Sequence, residues 1–212
     1  MVRPVSVLNV LSVLIVLFAL SMLLPLGVSF LHGDEASRAH WQAILITLAS
    51  GAALWGVTRF GRSELQTRDG LLLVALVWTV LPAFATLPLL LYLPELSFTD
   101  AYFEAVAGVT TTGSTVLSGL DRLPPSINFW RCELQWLGGM GVIVLAVAIL
   151  PLLGIGGSQI MRAETPGPMR DPRLAPRIAE TAKGLWLVYA GLTLACVLVF
   201  KAVGMGWFDA VV

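Results

Sequence analysis

The chain has 212 residues, of which 57% are hydrophobic and 12% are charged, and its mean hydropathy is +0.86. Soluble domains carry about 25% charged residues, so this composition excludes an ordinary soluble domain and predicts an integral membrane protein. The formal net charge is zero, which gives no reason to expect a nucleic-acid partner.

The first two apolar segments predict an N-terminal pair of transmembrane helices within residues 1–60. Residues 5–31 are free of charge. A secretory signal is the first alternative, but this run is about twice a signal core of 7–15 residues and no small-x-small cleavage pattern follows it. A polar turn separates it from a second span over residues 41–57, in which Gly51 and Gly56 are available for close helix packing.

Three further spans are predicted, at residues 70–93, 128–153 and 184–206. Pro82 and Pro88 interrupt the first of these, so neighbouring helices are expected to satisfy the freed backbone groups. Residues 156–183 carry prolines and basic residues and are predicted to form a cytoplasmic linker without a long regular helix. The close-packing positions predicted in the 128–153 span are its glycines, Gly138, Gly139 and Gly141.

A short segment between two of these spans, residues 97–114, predicts a helix that crosses only half of the membrane. Ser97 and Asp100 have the spacing of a capping box at a helix start. From Asp100 to about Gly108 such a helix would extend roughly 16 Å, about half of the hydrocarbon thickness. Its C-terminal carbonyls would then lie near the midplane, where the helix dipole favours a cation.

The half-helix leads into an uncharged run of hydroxyls and one glycine, Thr110, Thr111, Thr112, Gly113 and Ser114. Carbonyl and hydroxyl oxygens in an extended strand can replace the hydration shell of a monovalent cation. Gly113 can adopt backbone angles that other residues resist. The residues alone leave two interpretations open, an ion-coordinating pore loop or a plain polar turn outside the membrane.

Charged residues near these segments are interpreted mainly as structural. Glu104 lies in the half-helix and is expected to make a hydrogen bond behind the loop, to a partner that the sequence does not name. Arg131 and Glu133 are expected to be interfacial charges at the outer start of a span. Cys132 and Cys196 are interpreted as packing residues, and His32 and His40 as loop residues, so no metal or other cofactor is expected.

Two patterns concern the layout of the whole chain. Asp100-Ala101 and Asp209-Ala210 each follow a span and an aromatic residue, which predicts a repeated unit of span, short helix, loop and span. The second unit would stop shortly after Ala210, so we expect the chain to be part of a longer repeat protein. Lys and Arg are more numerous in the loops that share a side with the N-terminus, which predicts a cytoplasmic N-terminus.

The motifs themselves resemble one known family. The runs FTDAYFEAVAGVTTTGST, LQWLGGMGVIVLAVAILP, GIGG and RAETPGP are similar to those of the TrkH-type potassium uptake proteins of the Trk/Ktr/HKT superfamily. The resemblance extends through almost the whole chain. It implies an all-α integral membrane fold of four linked helix–pore loop–helix units around one pore, preceded by an extra helix pair.

The resemblance also implies a role for each part of the chain. Residues 1–60 would be the extra pair, 70–155 the first unit, and 184–212 the start of a second unit. Residues 110–114 would form one quarter of a potassium filter, with Thr111 and Thr112 the main ligands of the transported K⁺. The family further implies a bacterial inner-membrane location, a homodimer, and a cytoplasmic nucleotide-binding regulatory subunit similar to TrkA. The basic linker, residues 156–183, would meet that subunit or anionic lipid headgroups.

Two other functions remain as alternatives. A secondary transporter with a broken-helix binding site would need a charge or substrate ligand opposite the hydroxyl run, and the sequence shows none. A membrane enzyme would need acidic, His or Cys clusters facing one another in the bilayer, which is the weakest fit. We therefore interpret the chain as a piece of a potassium uptake pore and not as an enzyme.

Overall fold

The computed structural model describes residues 4–60, 67–152 and 174–212, and describes side chains for 4–60, 68–141 and 180–212. All regular structure in these ranges is helical. The described helices are α1 (Pro4–Ser21), α2 (Leu23–His32), α3 (Ser37–Thr58), α4 (Thr67–Ala85), α5 (Leu87–Tyr92), α6 (Phe98–Val109), α7 (Pro125–Leu152), α8 (Leu174–Ala202) and α9 (Trp207–Val211), with a 3₁₀ turn at Leu120–Arg122. The chain divides into two compact units, Met1–Trp136 and Leu137–Val212.

The predicted membrane architecture is confirmed. Four helical stretches in the described residues are long and apolar enough to cross a membrane, namely Pro4–His32, Ser37–Thr58, Arg68–Tyr92 and Glu180–Ala202. They coincide with four of the five predicted spans. The remaining span, predicted at residues 128–153, falls in α7, whose side chains beyond Gly141 lie outside the described part.

The N-terminal pair packs closely because α3 has a glycine where α1 crosses it. A Cβ at Gly51 would lie 2.9 Å from Val16 Cγ2 and 3.2 Å from the carbonyl oxygen of Ser12. This confirms the predicted packing role of Gly51. Among the residues that the structure describes, a Cβ at Gly56 would meet nothing within 4 Å, so the same prediction is wrong for Gly56.

A buried polar contact also joins the pair. The Asn9 amide donates to the Thr58 hydroxyl over 3.2 Å, although the two residues are 49 positions apart in the chain. Interhelical hydrogen bonds of this kind contribute to helix association where water is absent.

The third span is interrupted between α4 and α5, next to Pro88 as predicted, whereas α4 continues through Pro82 and the interruption predicted there is wrong. Pro88 has no N–H for the carbonyl four residues before it, and the helix ends at Ala85. The indole N–H of Trp130 donates to the Ala85 carbonyl over 3.1 Å. A side chain of α7 thus satisfies a backbone group at the break, and the same indole lies 5.7 Å from the Phe18 ring centre of α1.

The turn between α2 and α3 is tied to the start of α7. Asp34 accepts a hydrogen bond from the Ser126 backbone N–H over 3.0 Å and another from Ala36 N–H over 3.1 Å. The Ser126 hydroxyl lies 3.1 Å from His40 Nε2. The N-terminal pair is therefore fixed to the first helix–loop–helix unit by both apolar and polar contacts.

The last long helix begins earlier than predicted. α8 starts at Leu174, so the C-terminal part of the predicted linker, residues 156–183, is helical and the prediction is wrong there. Pro176 lies in the first turn of α8, where a missing N–H costs no intrahelical hydrogen bond. The rest of the linker, up to residue 173, lies outside the described residues.

Candidate functional site: a half-helix and its hydroxyl loop

The half-helix α6 begins as its capping residues predict. Ser97 has an extended backbone, and its hydroxyl accepts a hydrogen bond from Asp100 N–H over 3.1 Å. The same hydroxyl lies 2.7 Å from the Asp100 carboxylate. α6 has 12 residues and therefore extends roughly 18 Å, which is too short to cross the hydrocarbon core.

The loop after α6 folds back onto the end of the helix. The backbone N–H groups of residues 110–113 all donate to carbonyls of residues 106–108. The distances are 2.8 Å from Thr110 to Val106, 2.8 Å from Thr111 to Gly108, 2.9 Å from Thr112 to Ala107 and 3.3 Å from Gly113 to Ala107. The carbonyls of Val106, Ala107 and Gly108 are therefore occupied by amides of the loop.

The main-chain carbonyls of the loop differ from its amides. In the described part of the chain, no hydrogen bond ends on a main-chain carbonyl of residues 110–114. The hydroxyl of Thr110 donates to the Val106 carbonyl over 2.7 Å and lies 2.9 Å from the Thr112 hydroxyl. All five loop residues are exposed. The loop thus presents a series of neutral oxygen atoms with its amides turned away.

Two residues of the loop have left-handed backbone angles. Gly113 has a φ of 72°, a backbone angle of the kind that the sequence analysis expected this glycine to be able to adopt. Thr111 has a φ of 58° and is the one non-glycine residue with positive φ among those described. A β-branched residue in this region is strained, and such strain is typical of functional loops.

The carboxylate of Glu104 fixes the chain on the far side of the loop. Glu104 is 5% exposed and lies in α6. Its Oε1 accepts hydrogen bonds from the Thr115 hydroxyl and from two backbone N–H groups, those of Val116 over 2.6 Å and Leu117 over 3.3 Å. The hydrogen bond behind the loop that the sequence predicts is therefore confirmed.

The missing partner of Glu104 is Arg131 of α7. The guanidinium Nε lies 3.2 Å from Glu104 Oε2, and the two side chains are 14% and 2% exposed. Arg131 is thus paired with a buried acid, a role that the sequence did not predict. The sequence contained one signal for this pair: an acid in a membrane segment and a basic residue at the start of the next span. Because the two residues are 27 positions apart, the sequence alone could not show that they meet.

The half-helix also approaches α7 closely. A Cβ at Gly108 would lie 3.1 Å from the Leu134 Cβ, so the glycine lets the end of α6 rest against α7. The loop is thereby positioned by a close contact, an ion pair and three donors to Glu104.

The second unit repeats the start of the half-helix. α9 begins at Trp207 after Gly206, with Asp209 in its first turn. α6 begins in the same way at Phe98, with Asp100 in its first turn. The predicted sequence repeat therefore has a structural counterpart, a short helix that starts with an aromatic residue just beyond a span.

No group of three or more His, Cys, Asp or Glu that could hold a metal occurs among the described residues. The five predicted ligand residues form one continuous loop, and Thr111 and Thr112 lie at its centre. The arrangement offers neutral oxygens for a weakly held cation.

The chain is similar to known transport proteins along nearly its full length. A sequence model of the TrkH family, described as a cation transport protein, matches residues 36–208. The Trk system potassium uptake protein TrkH of Halomonas elongata is 51% identical over 205 residues, or 96% of this chain and 42% of the relative. The protein of the same name from Escherichia coli is 49% identical over 207 residues, or 97% and 43%.

A solved structure agrees with these relatives. The crystal structure of the potassium transporter TrkH from Vibrio parahaemolyticus matches with a TM-score of 0.84 at 45% sequence identity, over 99% of this chain and 42% of that chain. This chain spans about two-fifths of the length of the curated relatives it matches. The relatives are named as potassium transport proteins and not as enzymes. The chain is a multi-pass membrane protein and belongs to the TrkH family of cation transport proteins.

Proposed function

We propose that this chain is the first part of the pore-forming subunit of a potassium uptake system. In this proposal K⁺ passes through a filter built from four pore loops, and residues 110–114 are the first of them. The observation that carries the proposal is the orientation of the loop: the amides of residues 110–113 donate to α6, while the five loop residues are exposed and their carbonyl oxygens accept no hydrogen bond in the described part. The transport names of its relatives support the choice of ion.

The loop suits K⁺ for a physical reason. Neutral carbonyl and hydroxyl oxygens can replace the water around a large monovalent cation, whereas divalent or less selective cation pores use rings of carboxylates. Thr110–Ser114 supplies such oxygens and no carboxylate. We assign Thr111 and Thr112 as the principal ligands, with Thr110, Gly113 and Ser114 completing the loop.

One loop cannot surround an ion. The remaining ligands must come from three further loops, which correspond to the part of the relatives that this chain does not cover. The exposure of residues 110–116 on the first unit is what such companions would cover.

We further propose a bacterial inner-membrane location with a cytoplasmic N-terminus, homodimer formation, and association with a cytoplasmic nucleotide-binding regulatory subunit. The distribution of Lys and Arg supports the orientation. Co-purification of the full-length protein with such a subunit would test the association, and the accessibility of a cysteine at the exposed position Glu35 would test the orientation.

The filter assignment is tested by K⁺ uptake in a strain that lacks its own uptake systems, rescued by the full-length protein that contains this chain. Gly113→Ala is compared with Gly119→Ala. Both glycines have positive φ, 72° and 69°, and neither has an atom closer than 3.9 Å to an added Cβ. The two substitutions therefore carry a similar backbone cost of about 1 kcal/mol.

If residues 110–114 form the filter, Gly113→Ala lowers K⁺ uptake at least tenfold or lets Na⁺ compete, while Gly119→Ala stays near wild type. Thr111→Ala should likewise change ion preference. Equal uptake and equal preference in the Gly113 and Gly119 variants would reject the assignment.

A further inference from the structure

An open apolar groove lies between α1 and α3 of the N-terminal pair. Its volume is about 230 Å³, and it is lined by four side chains, those of Val13, Val16, Ala52 and Trp55. Val13 and Trp55 are 43% and 38% exposed, so the described chain covers them only in part. One turn after Ala52, a Cβ at Gly56 would also meet nothing within 4 Å. The described residues therefore leave this face of the helix pair open.

The groove lies at the depth of the acyl chains of one leaflet. The spanning stretch ends at Thr58, and Arg59 directly follows it. A basic residue at the end of a span extends its charged group toward the lipid headgroups. Trp55 and Ala52 precede Arg59 by four and seven residues, or roughly 6 and 10 Å along the helix axis. Because the hydrocarbon of one leaflet is about 15 Å thick, the groove begins just below the headgroups and stays within that leaflet.

A cation lies at the headgroup end of the groove. The guanidinium carbon of Arg59 is 5.6 Å from the centre of the Trp55 ring and 4.4 Å from that of the Phe60 ring. Neither ring has an oxygen or nitrogen that accepts a hydrogen bond. Within the described residues, no carboxylate pairs with this guanidinium. Arg59 therefore offers its planar set of N–H donors to an anion from outside the described chain.

We propose that the groove and Arg59 form a binding site for one anionic phospholipid. An acyl chain lies in the groove against Trp55 and Ala52, and the phosphate accepts hydrogen bonds from Arg59, whose planar guanidinium matches two phosphate oxygens. A zwitterionic lipid carries its own cation beside the phosphate, so the site favours a lipid with net negative charge.

The charge of Arg59 is the reason to assign a lipid and not a protein segment to the groove. A protein segment seated there would cover the arginine as well, and a buried charge without a partner is strongly destabilising. The phosphate of a lipid supplies the counter-charge that the described chain lacks. The inference does not depend on the filter assignment.

The fluorescence of Trp55 tests the occupancy of the groove, because bromine atoms on an acyl chain quench an indole on contact. The full-length protein is placed in phosphatidylcholine vesicles that contain increasing fractions of brominated phosphatidylglycerol, which is anionic, or of brominated phosphatidylcholine. The signal of Trp55 is the difference between wild type and Trp55→Leu. We expect half-quenching at an about fivefold lower fraction of the anionic lipid, since one arginine near the surface favours it by about that factor.

Two pairs of variants separate the roles of the charge and the groove. Arg59→Gln should remove the preference for the anionic lipid, whereas Arg38→Gln, at an exposed position near the other end of α3, should leave it in place. Ala52→Leu fills the groove and should reduce the preference, whereas Ala53→Leu, at an exposed position outside the groove lining, should not.

Equal half-quenching of the wild type by the two lipids would overturn the proposal. A preference that persists in Arg59→Gln, or that is unchanged in Ala52→Leu, would do the same. A Trp55 signal that neither lipid quenches would show that protein covers the groove, either the rest of the full-length chain or a second copy, and would also overturn it.

Discussion

Glu104 of α6 and Arg131 of α7 form an ion pair of 3.2 Å behind the hydroxyl loop, with both side chains largely buried. The same carboxylate holds the backbone of residues 116 and 117. The pair therefore connects three segments: the half-helix, the chain that leaves the loop, and the next spanning helix.

Removing the charge of Glu104 should destabilise the first unit. Glu104→Gln leaves Arg131 without its counter-charge, and breaking a buried pair in this way costs about 3 kcal/mol. We expect a clear fall in Tm in detergent. Glu95→Gln, at an exposed position before α6, serves as the control and should leave the Tm unchanged.

The coupling of the pair can be measured by adding Arg131→Met. In the double variant no buried charge is left alone. Its free energy of unfolding should therefore fall by less than the sum of the falls measured for Glu104→Gln and Arg131→Met separately. If the two decreases in the free energy of unfolding simply add, the two side chains do not interact in the folded protein.

The two glycines of α3 should respond to alanine in opposite ways. Gly51→Ala places a Cβ 2.9 Å from Val16 Cγ2 and 3.2 Å from a backbone oxygen, so it should cost about 1–3 kcal/mol through overpacking. Gly56→Ala meets nothing within 4 Å and should be neutral or stabilise by up to about 1 kcal/mol, because alanine favours a helix. Thermal unfolding of both variants checks this, and equal effects would contradict the close packing of α1 on α3.

Relieving the backbone strain at Thr111 should stabilise the fold and lower K⁺ uptake. Asparagine tolerates a positive φ better than threonine, so Thr111→Asn should stabilise the fold by about 1 kcal/mol while reducing K⁺ uptake. The Tm of the purified protein and the uptake rate in cells are the two measurements.

Thr112→Asn is the matched control for strain, since Thr112 has no positive φ. It should lower uptake without raising the Tm. A fall in Tm for Thr111→Asn would show that the threonine side chain stabilises the loop rather than straining it.

Asp34 should make the protein sensitive to acid. Partial burial by itself raises the pKa of Asp34, but hydrogen bonds from the Ser29 hydroxyl and from Ser126 and Ala36 outweigh it and lower the pKa below its ordinary value of 3.8. The folded protein thus binds this proton more weakly than the unfolded chain. The contribution of Asp34 to stability is complete above the ordinary value and is lost as the pH falls through the lowered one.

The Tm of Asp34→Asn should therefore lie below that of wild type at neutral pH, and the two should converge as the pH falls below the lowered pKa of Asp34. Asp121→Asn, which removes an exposed carboxyl from the 3₁₀ turn, controls for general effects of charge. A constant difference between wild type and Asp34→Asn across this range would contradict the proposed role of the carboxylate.

Much of the fold follows from local features of the sequence. Runs of apolar residues long enough to span the hydrocarbon predict the membrane helices, since a spanning helix satisfies its own backbone. Ser97 and Asp100 predict the start of α6, because an N-cap and its first turn involve only near neighbours in the chain. The same holds for Gly113, whose backbone angle is a property of one residue.

Contacts between distant segments were decided only by the tertiary structure. Glu104 and Arg131 are separated by a loop, and their pairing depends on how α6 rests against α7. Gly51 and Gly56 look alike in the sequence, yet only Gly51 faces α1, because the crossing point of two helices is set by their packing. Glu133 resembles an exposed charge in the sequence, yet its side chain is buried. The sequence by itself determined which segments enter the membrane and where the half-helix begins. The packing of those segments decided which charges are paired and in which direction the loop presents its oxygens.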